Sequence, residues 1–148
     1  MTLEIEIEWL DGNNDIKPLS KATTNSAGFD LSAALDYSIK INPSNFCLVP
    51  LGFKLAIPQG YEGQIRPRSG LAIKSGISVL NTPGTIDADY RGELKVILIN
   101  LGKENVTINR GDRIAQLVIT KLPEISFIEK KILSSTDRSS GGFGSTGI

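Results

Sequence analysis

The sequence predicts an all-β fold: a jelly-roll-like β-sandwich or barrel with one short helix and a flexible Gly/Ser-rich C-terminal arm. Three observations carry that expectation. Short apolar or alternating runs recur at close spacing, most of them separated by Gly, Pro, Asn or Asp. No segment carries a helical stripe of ten or more residues. The last stretch, 134–148, changes character: eleven of its fifteen residues are Gly, Ser or Thr, too few apolar groups to fold by themselves. The expected division is a β domain at 1–133 and a flexible lid segment at 134–148. The 148-residue chain suffices for one such domain with a real core.

In chain order, Leu3, Ile5, Ile7 and Trp9 alternate with Glu4, Glu6 and Glu8, a period-two strand with one wet face. Asp11-Gly12-Asn13-Asn14 is a turn. Strand-like runs follow at 29–33, 37–41, 46–49, 53–57, 61–65, 77–80, 94–101, 106–108, 114–119 and 125–128. The helix is expected over Gly70-Leu71-Ala72-Ile73-Lys74-Ser75, with Ser69 as its N-cap and Gly76 as its C-cap. The run 81–92 reads as a hairpin with a buried root at Ile86 and a carboxylate-bearing mouth at Asp87 and Asp89. Two readings of it stand: a small-molecule site, or a surface hairpin whose acids keep it soluble.

Composition narrows the chemistry. Sixteen basic and sixteen acidic residues give a formal net charge of zero, which argues against long-range attraction to nucleic acid or an anionic membrane. No apolar run approaches a membrane span, and the acidic, alternating N-terminus is unlike a secretory or mitochondrial signal, so a cytoplasmic location is expected. The lone Cys47 excludes an internal disulfide and is expected to be a buried, inert thiol. Histidine is absent. That removes the usual general base near neutral pH, the Ser-His-Asp triad and most transition-metal sites. A hydrolase built on this chain needs a carboxylate base, and any metal would be a hard ion held by oxygens, such as Mg²⁺.

Four further segments carry possible chemistry. Pro67-Arg68-Ser69-Gly70-Leu71-Ala72 opens the helix, where Ser, Arg and free N–H groups suit a phosphate as well as an ordinary cap. In Gly111-Asp112-Arg113-Ile114-Ala115-Gln116-Leu117 the amide of Gln116 interrupts an apolar run and needs a partner. In Ala27-Gly28-Phe29-Asp30-Leu31, Asp30 is either a hydrogen-bonded turn aspartate or an acid that orients metal-bound water. In the arm, Arg138 and Phe143 flank Gly141-Gly142, and Gly144-Ser145-Thr146-Gly147 follows. Turned N–H groups, a bidentate guanidinium and a flat ring together describe a lid over a nucleotide.

These five segments, taken jointly and in this order, resemble the motifs of the trimeric, all-β dUTP pyrophosphatases (dUTPases), and they span 27–147. One departure is Ser139, where the family usually has glycine after the arginine. The resemblance implies hydrolysis of dUTP to dUMP and pyrophosphate by attack of water on the α-phosphorus, limiting uracil incorporation into DNA and supplying dUMP for dTMP synthesis. It implies Asp87 as the residue that activates the water, and Mg²⁺ on the phosphates reached by Asp30 through water. Arg68, Ser69, Gly70 and Gln116 would grip the phosphate chain. Asn81, Gly84 and the neighbouring backbone would read the uracil edge. Tyr90 would lie against the deoxyribose, Arg138 would contact the γ-phosphate, and Phe143, with Gly144 and Ser145 beside it, would cover the base. It further implies a homotrimer with sites shared between subunits, and no direct nucleic-acid binding. A related enzyme, dCTP deaminase, uses a glutamate on the strand after 81–92; Ile97 occupies that position here. A non-catalytic nucleotide-binding relative would lack the acid that Asp87 supplies.

Overall fold

The computed structural model describes residues 2–16 and 19–142. Its strands are β1 (Glu6–Trp9), β2 (Phe29–Ser32), β3 (Ile39–Ile41), β4 (Phe46–Pro50), β5 (Phe53–Ala56), β6 (Tyr61–Arg66), β7 (Ile77–Val79), β8 (Gly84–Ile86), β9 (Lys95–Asn100), β10 (Val106–Ile108) and β11 (Arg113–Lys121). One helix, α1 (Ser69–Ser75), interrupts them. The larger sheet has the order β2-β11-β6-β8 and the second has β4-β9-β7; β1-β5 and β10-β3 form two-stranded ribbons. Among the described residues every pairing is antiparallel, and none joins consecutive strands. This is the jelly-roll-like β fold expected from the sequence, left open, with no closed barrel among the described residues.

The core follows from the period of two. In β9 Val96 and Leu98 point inward, while Ile97 and Ile99 remain partly exposed. They join Leu31, Phe53, Ile65 and Leu117 in one buried cluster drawn from both main sheets. Burying such side chains supplies roughly 1.5–3 kcal/mol each before entropy is counted. Asn100 is the polar residue at the bottom of this core. Its Nδ2 donates to the carbonyls of Ile41 (2.9 Å) and Glu104 (2.8 Å), and its Oδ1 accepts from Gly102 N (2.9 Å), so its burial leaves no bond unmade. The Trp9 and Phe53 rings pack 5.1 Å apart across β1 and β5.

Several sequence expectations change. The run 81–92 is not a hairpin. β8 pairs with β6, whereas β9 pairs with β4 and β7, so the chain leaves one sheet at Ile86 and enters the other at Lys95. Helix α1 begins at Ser69, one residue earlier than expected, so Arg68 is the N-cap and no side chain caps the helix. The Arg68 guanidinium is anchored on Asp30 and on the Arg113 carbonyl, which holds its backbone extended. Gly76 does close the helix in the left-handed region, φ 69°, its N–H bonding Ala72 O. The run 125–128 forms no strand, because no partner strand lies beside it and its apolar side chains stand in solvent. Cys47 is half-buried, and burial pushes its thiol pKa up, which keeps it protonated and unreactive. Among the described residues no helix is long and apolar enough to cross a membrane.

Candidate active site

The parting of β8 from β9 opens a slot. Its inner end is a pocket of about 150 Å³ where Asn81 and Gly84 face Lys95 and Ile97. Gly84 is buried, and a Cβ placed there would stand 3.3 Å from Asn81 Nδ2, so the bare backbone is what lets the amide lie against the strand. The slot continues outward into a pocket of about 320 Å³ that shares Leu48, Thr85, Ile86 and Lys95 with the first and adds Asp87 and Tyr90. Asn81 and Gly84 at one end and the carboxylates of Asp87 and Glu93 at the other therefore flank one continuous cleft. β8 bonds only to β6, so its other edge keeps backbone donors and acceptors facing this space. No carboxylate lines the inner pocket; Ile97 stands on its wall.

Asp87 sits exposed at the mouth, on a tight turn in which Tyr90 N donates to Asp87 O at 3.2 Å. Arg91 Nη1 ties the turn by donating to the carbonyls of Ala88 (2.6 Å) and Tyr90 (2.9 Å). The Tyr90 hydroxyl donates to Glu93 O at 3.0 Å. A wider cleft of about 890 Å³ lies around the same turn, but Glu4, Glu6 and Asp89 join Asp87 there. Four carboxylates against the single Arg91 repel a polyphosphate more than Asp87 and Glu93 against Lys95 in the slot, so the slot is the better nucleotide site.

A second cluster gathers three of the other motifs. In the β2–β11 pairing Asp30 stands directly opposite Gln116. Asp30 Oδ1 forms an ion pair with Arg68 Nε, and Oδ2 accepts from Arg113 Nη1, both at 3.1 Å. Arg68 Nη1 also donates to Arg113 O at 2.9 Å. Gln116 Nε2 donates to Pro67 O at 2.9 Å, and its amide covers Gly28 so closely that a Cβ there would overlap Oε1. Two guanidiniums share one carboxylate, leaving local positive charge on a chain that is neutral overall, beside the exposed Ser69 and Gly70. This arrangement suits an anion. The sequence motifs assign Arg113 no role of its own; its place at the start of a buried strand, right after a Gly-Asp turn, is the signal that marks it.

The two clusters do not meet within one chain. Asp30, Gln116 and Arg66 lie in one line across the larger sheet, while Asp87 falls just past Ile86, level with Glu62 and Thr120. Four strand residues separate those lines, about 13 Å, with two strand spacings, about 10 Å, across from β8 to β11. In the arm, Arg138 Nε donates to Gly141 O at 2.8 Å, and Ser139 adopts a positive φ of 44°. That is a conformation glycine adopts without strain. Phe143, Gly144 and Ser145 lie outside the described residues.

Comparisons with known proteins agree in one direction. The deoxyuridine 5'-triphosphate nucleotidohydrolase of Caulobacter vibrioides (strain NA1000 / CB15N) is 51% identical over 148 residues, covering 99% of this chain and 96% of that protein. The Staphylococcus bacteriophage 80alpha dUTPase with dUPNHPP superposes with a TM-score of 0.83 at 25% identity, covering 99% of this chain and 100% of that one. A mutant dUTPase from phage phi11 of S. aureus, which coordinates a structural Mg(II) ion, shares the fold with a TM-score of 0.78 at 22% identity, covering 89% and 99% of the two chains. The model of the dUTPase family matches residues 14–147, the stretch that holds both clusters and the arm, and the chain belongs to the dUTPase family.

Proposed function

We propose that the chain hydrolyses dUTP to dUMP and pyrophosphate, with Asp87 directing a water onto the α-phosphorus. The observation that carries this reading is the single slot with Asn81 and Gly84 at its inner end and Asp87 at its mouth. Uracil offers two carbonyl acceptors with a donor between them, which an amide and free strand edges can match. Cytosine reverses part of that pattern, and the unpaired groups left behind allow rejection by about four orders of magnitude. The slot's apolar walls would exclude the extra methyl of thymine by packing. Tyr90, fixed through its hydroxyl, forms the wall beside the deoxyribose. A carboxylate is a weak base at neutral pH, so Asp87 contributes mainly by holding the water in line.

The Asp30, Arg68, Arg113 and Gln116 cluster, with Ser69 and Gly70, binds the phosphate chain. Among the described residues no group of three or more acidic or sulfur- and nitrogen-bearing ligands could hold a metal by itself. That fits Mg²⁺, which keeps most of its waters and binds chiefly through substrate phosphates. Asp30 would hold it through water, since both its oxygens retain lone pairs beyond those its arginines use. When bound, the ion neutralises the polyphosphate and draws electron density from phosphorus. Because the two clusters stand apart in one chain, the complete site belongs to a homotrimer in which the slot of one subunit faces the arginines of another. Phe46 and Leu48, 64% and 54% exposed on the outer face of β4, offer an apolar surface for that assembly. The segment 134–148 acts as the lid, with Arg138 on the γ-phosphate and Phe143, Gly144 and Ser145 over the base.

Pyrophosphate release in the presence of Mg²⁺, compared for dUTP, UTP, dCTP and dTTP at equal concentration, tests the substrate. Asp87→Asn tests the role: calorimetry should show dUTP still bound while turnover falls by about two to four orders of magnitude. Undiminished turnover would remove Asp87 from the mechanism.

A further inference from the structure

We propose that Gly92 is a specificity-determining positioning residue: it leaves bare backbone against the Tyr90 ring and so fixes the wall that refuses a 2′-hydroxyl. The proposal rests on the reading of Tyr90 as the wall of the sugar pocket.

A Cβ built at Gly92 would overlap Tyr90 Oη and stand 2.5 Å from Cζ and 2.9 Å from Cε2. These three closest atoms all belong to the tyrosine. Gly92 is not among the glycines held at positive φ, so its backbone conformation is open to any residue. The demand for glycine therefore comes from the ring. Gly92 does not line the pocket that Tyr90 lines, so a side chain there would act on the sugar through the ring.

The ring is 44% exposed, so it would yield by turning toward solvent, away from its hydroxyl's partner. Its hydroxyl is bonded to Glu93 O at 3.0 Å, and its backbone N–H and C=O are held by Asp87 O and Arg91 Nη1. Glu93 is itself tied down: Oε1 accepts from Gly52 N at 3.3 Å, and Oε2 pairs with Lys95 Nζ at 3.6 Å. Moving the ring breaks the Glu93 bond and shifts the wall relative to the slot. The expected outcome is a sugar pocket that accepts a hydroxyl more readily, with the base-reading end at Asn81 and Gly84 untouched.

The test measures kcat/KM for dUTP and UTP with Mg²⁺ on the full-length wild type, Gly92→Ala, Tyr90→Ala and the double variant, with thermal melts alongside. Gly92→Ala should lower the dUTP/UTP preference by about tenfold or more. The double variant should be no less selective than Tyr90→Ala alone, because the glycine acts through the ring. If Tyr90→Ala loses selectivity while Gly92→Ala keeps it, the role of Gly92 is overturned and that of Tyr90 survives. If Tyr90→Ala keeps selectivity, the reading of Tyr90 fails first. Should Gly92→Ala alone not fold, a folded double variant would support the steric account, having no ring to displace. Two unfolded proteins would overturn it.

Discussion

Asp15 and Arg110 form the tightest charged contact among the described residues. Arg110 Nε and Nη2 donate to Asp15 Oδ2 and Oδ1, both at 2.7 Å, and the same guanidinium reaches Gly12 O, Asn13 Oδ1 and Leu35 O. Arg110 draws the Asp15 carboxyl from its ordinary 3.8 down to about 2. A depressed acid stabilises the fold above its unfolded pKa, and that contribution disappears as pH falls through the folded value. The thermal midpoints of wild type and Asp15→Asn should therefore differ near neutral pH and converge as pH drops from about 4 to about 2. A gap that persists at the acid end would mean that the asparagine harms something besides the ion pair. The effect is modest, since the pair is solvent-exposed. It nonetheless links the turn after β1 to the turn that precedes β11, two segments nearly a hundred residues apart in the chain.

At the scale of elements, helix α1 depends on the residue that closes it, Gly76. A Cβ at Gly76 would collide with Gly102 N and stand 2.6 Å from Gly102 Cα, and φ there is 69°. Backbone strain and overlap together predict that Gly76→Ala lowers stability by more than about 2 kcal/mol, read as a lower urea midpoint at unchanged slope. An unchanged midpoint would show that the turn can relax. This glycine was legible in the sequence because a C-cap is a local demand. So were most strands, since alternation such as Val96 and Leu98 against Ile97 and Ile99 records which face is buried. Pairing was not legible. The 81–92 run looks like a hairpin locally, and only the long-range register of β8 on β6 and β9 on β4 separates its two arms. Nor was the failure of 125–128 to pair, because an apolar run states a need for burial without stating where it is met. Ser69 was misplaced by one residue for a related reason: the guanidinium that holds Arg68 extended finds its partners on β2 and β11.

Over the whole molecule, the sequence motifs marked nearly all the candidate site residues but not their division. Asp87 and Arg68 read as members of one site, and the fold puts them on separate ends of the larger sheet. A site completed between subunits makes a sharp prediction. Asp87→Asn and Arg68→Ala, each inactive alone, should regain activity when unfolded and refolded together, since some mixed assemblies pair an intact slot with an intact arginine cluster. A mixture as inactive as its parts, with assembly verified by sedimentation, would place the whole site within one chain. The slot itself carries one more consequence. Its jaws are fastened to different sheets, so the gap between them is gauged by the interior side chains, Ile65 and Val96 among them, that hold the sheets apart. Under the proposed function, substitutions at such hidden positions would alter the choice among pyrimidines as well as stability.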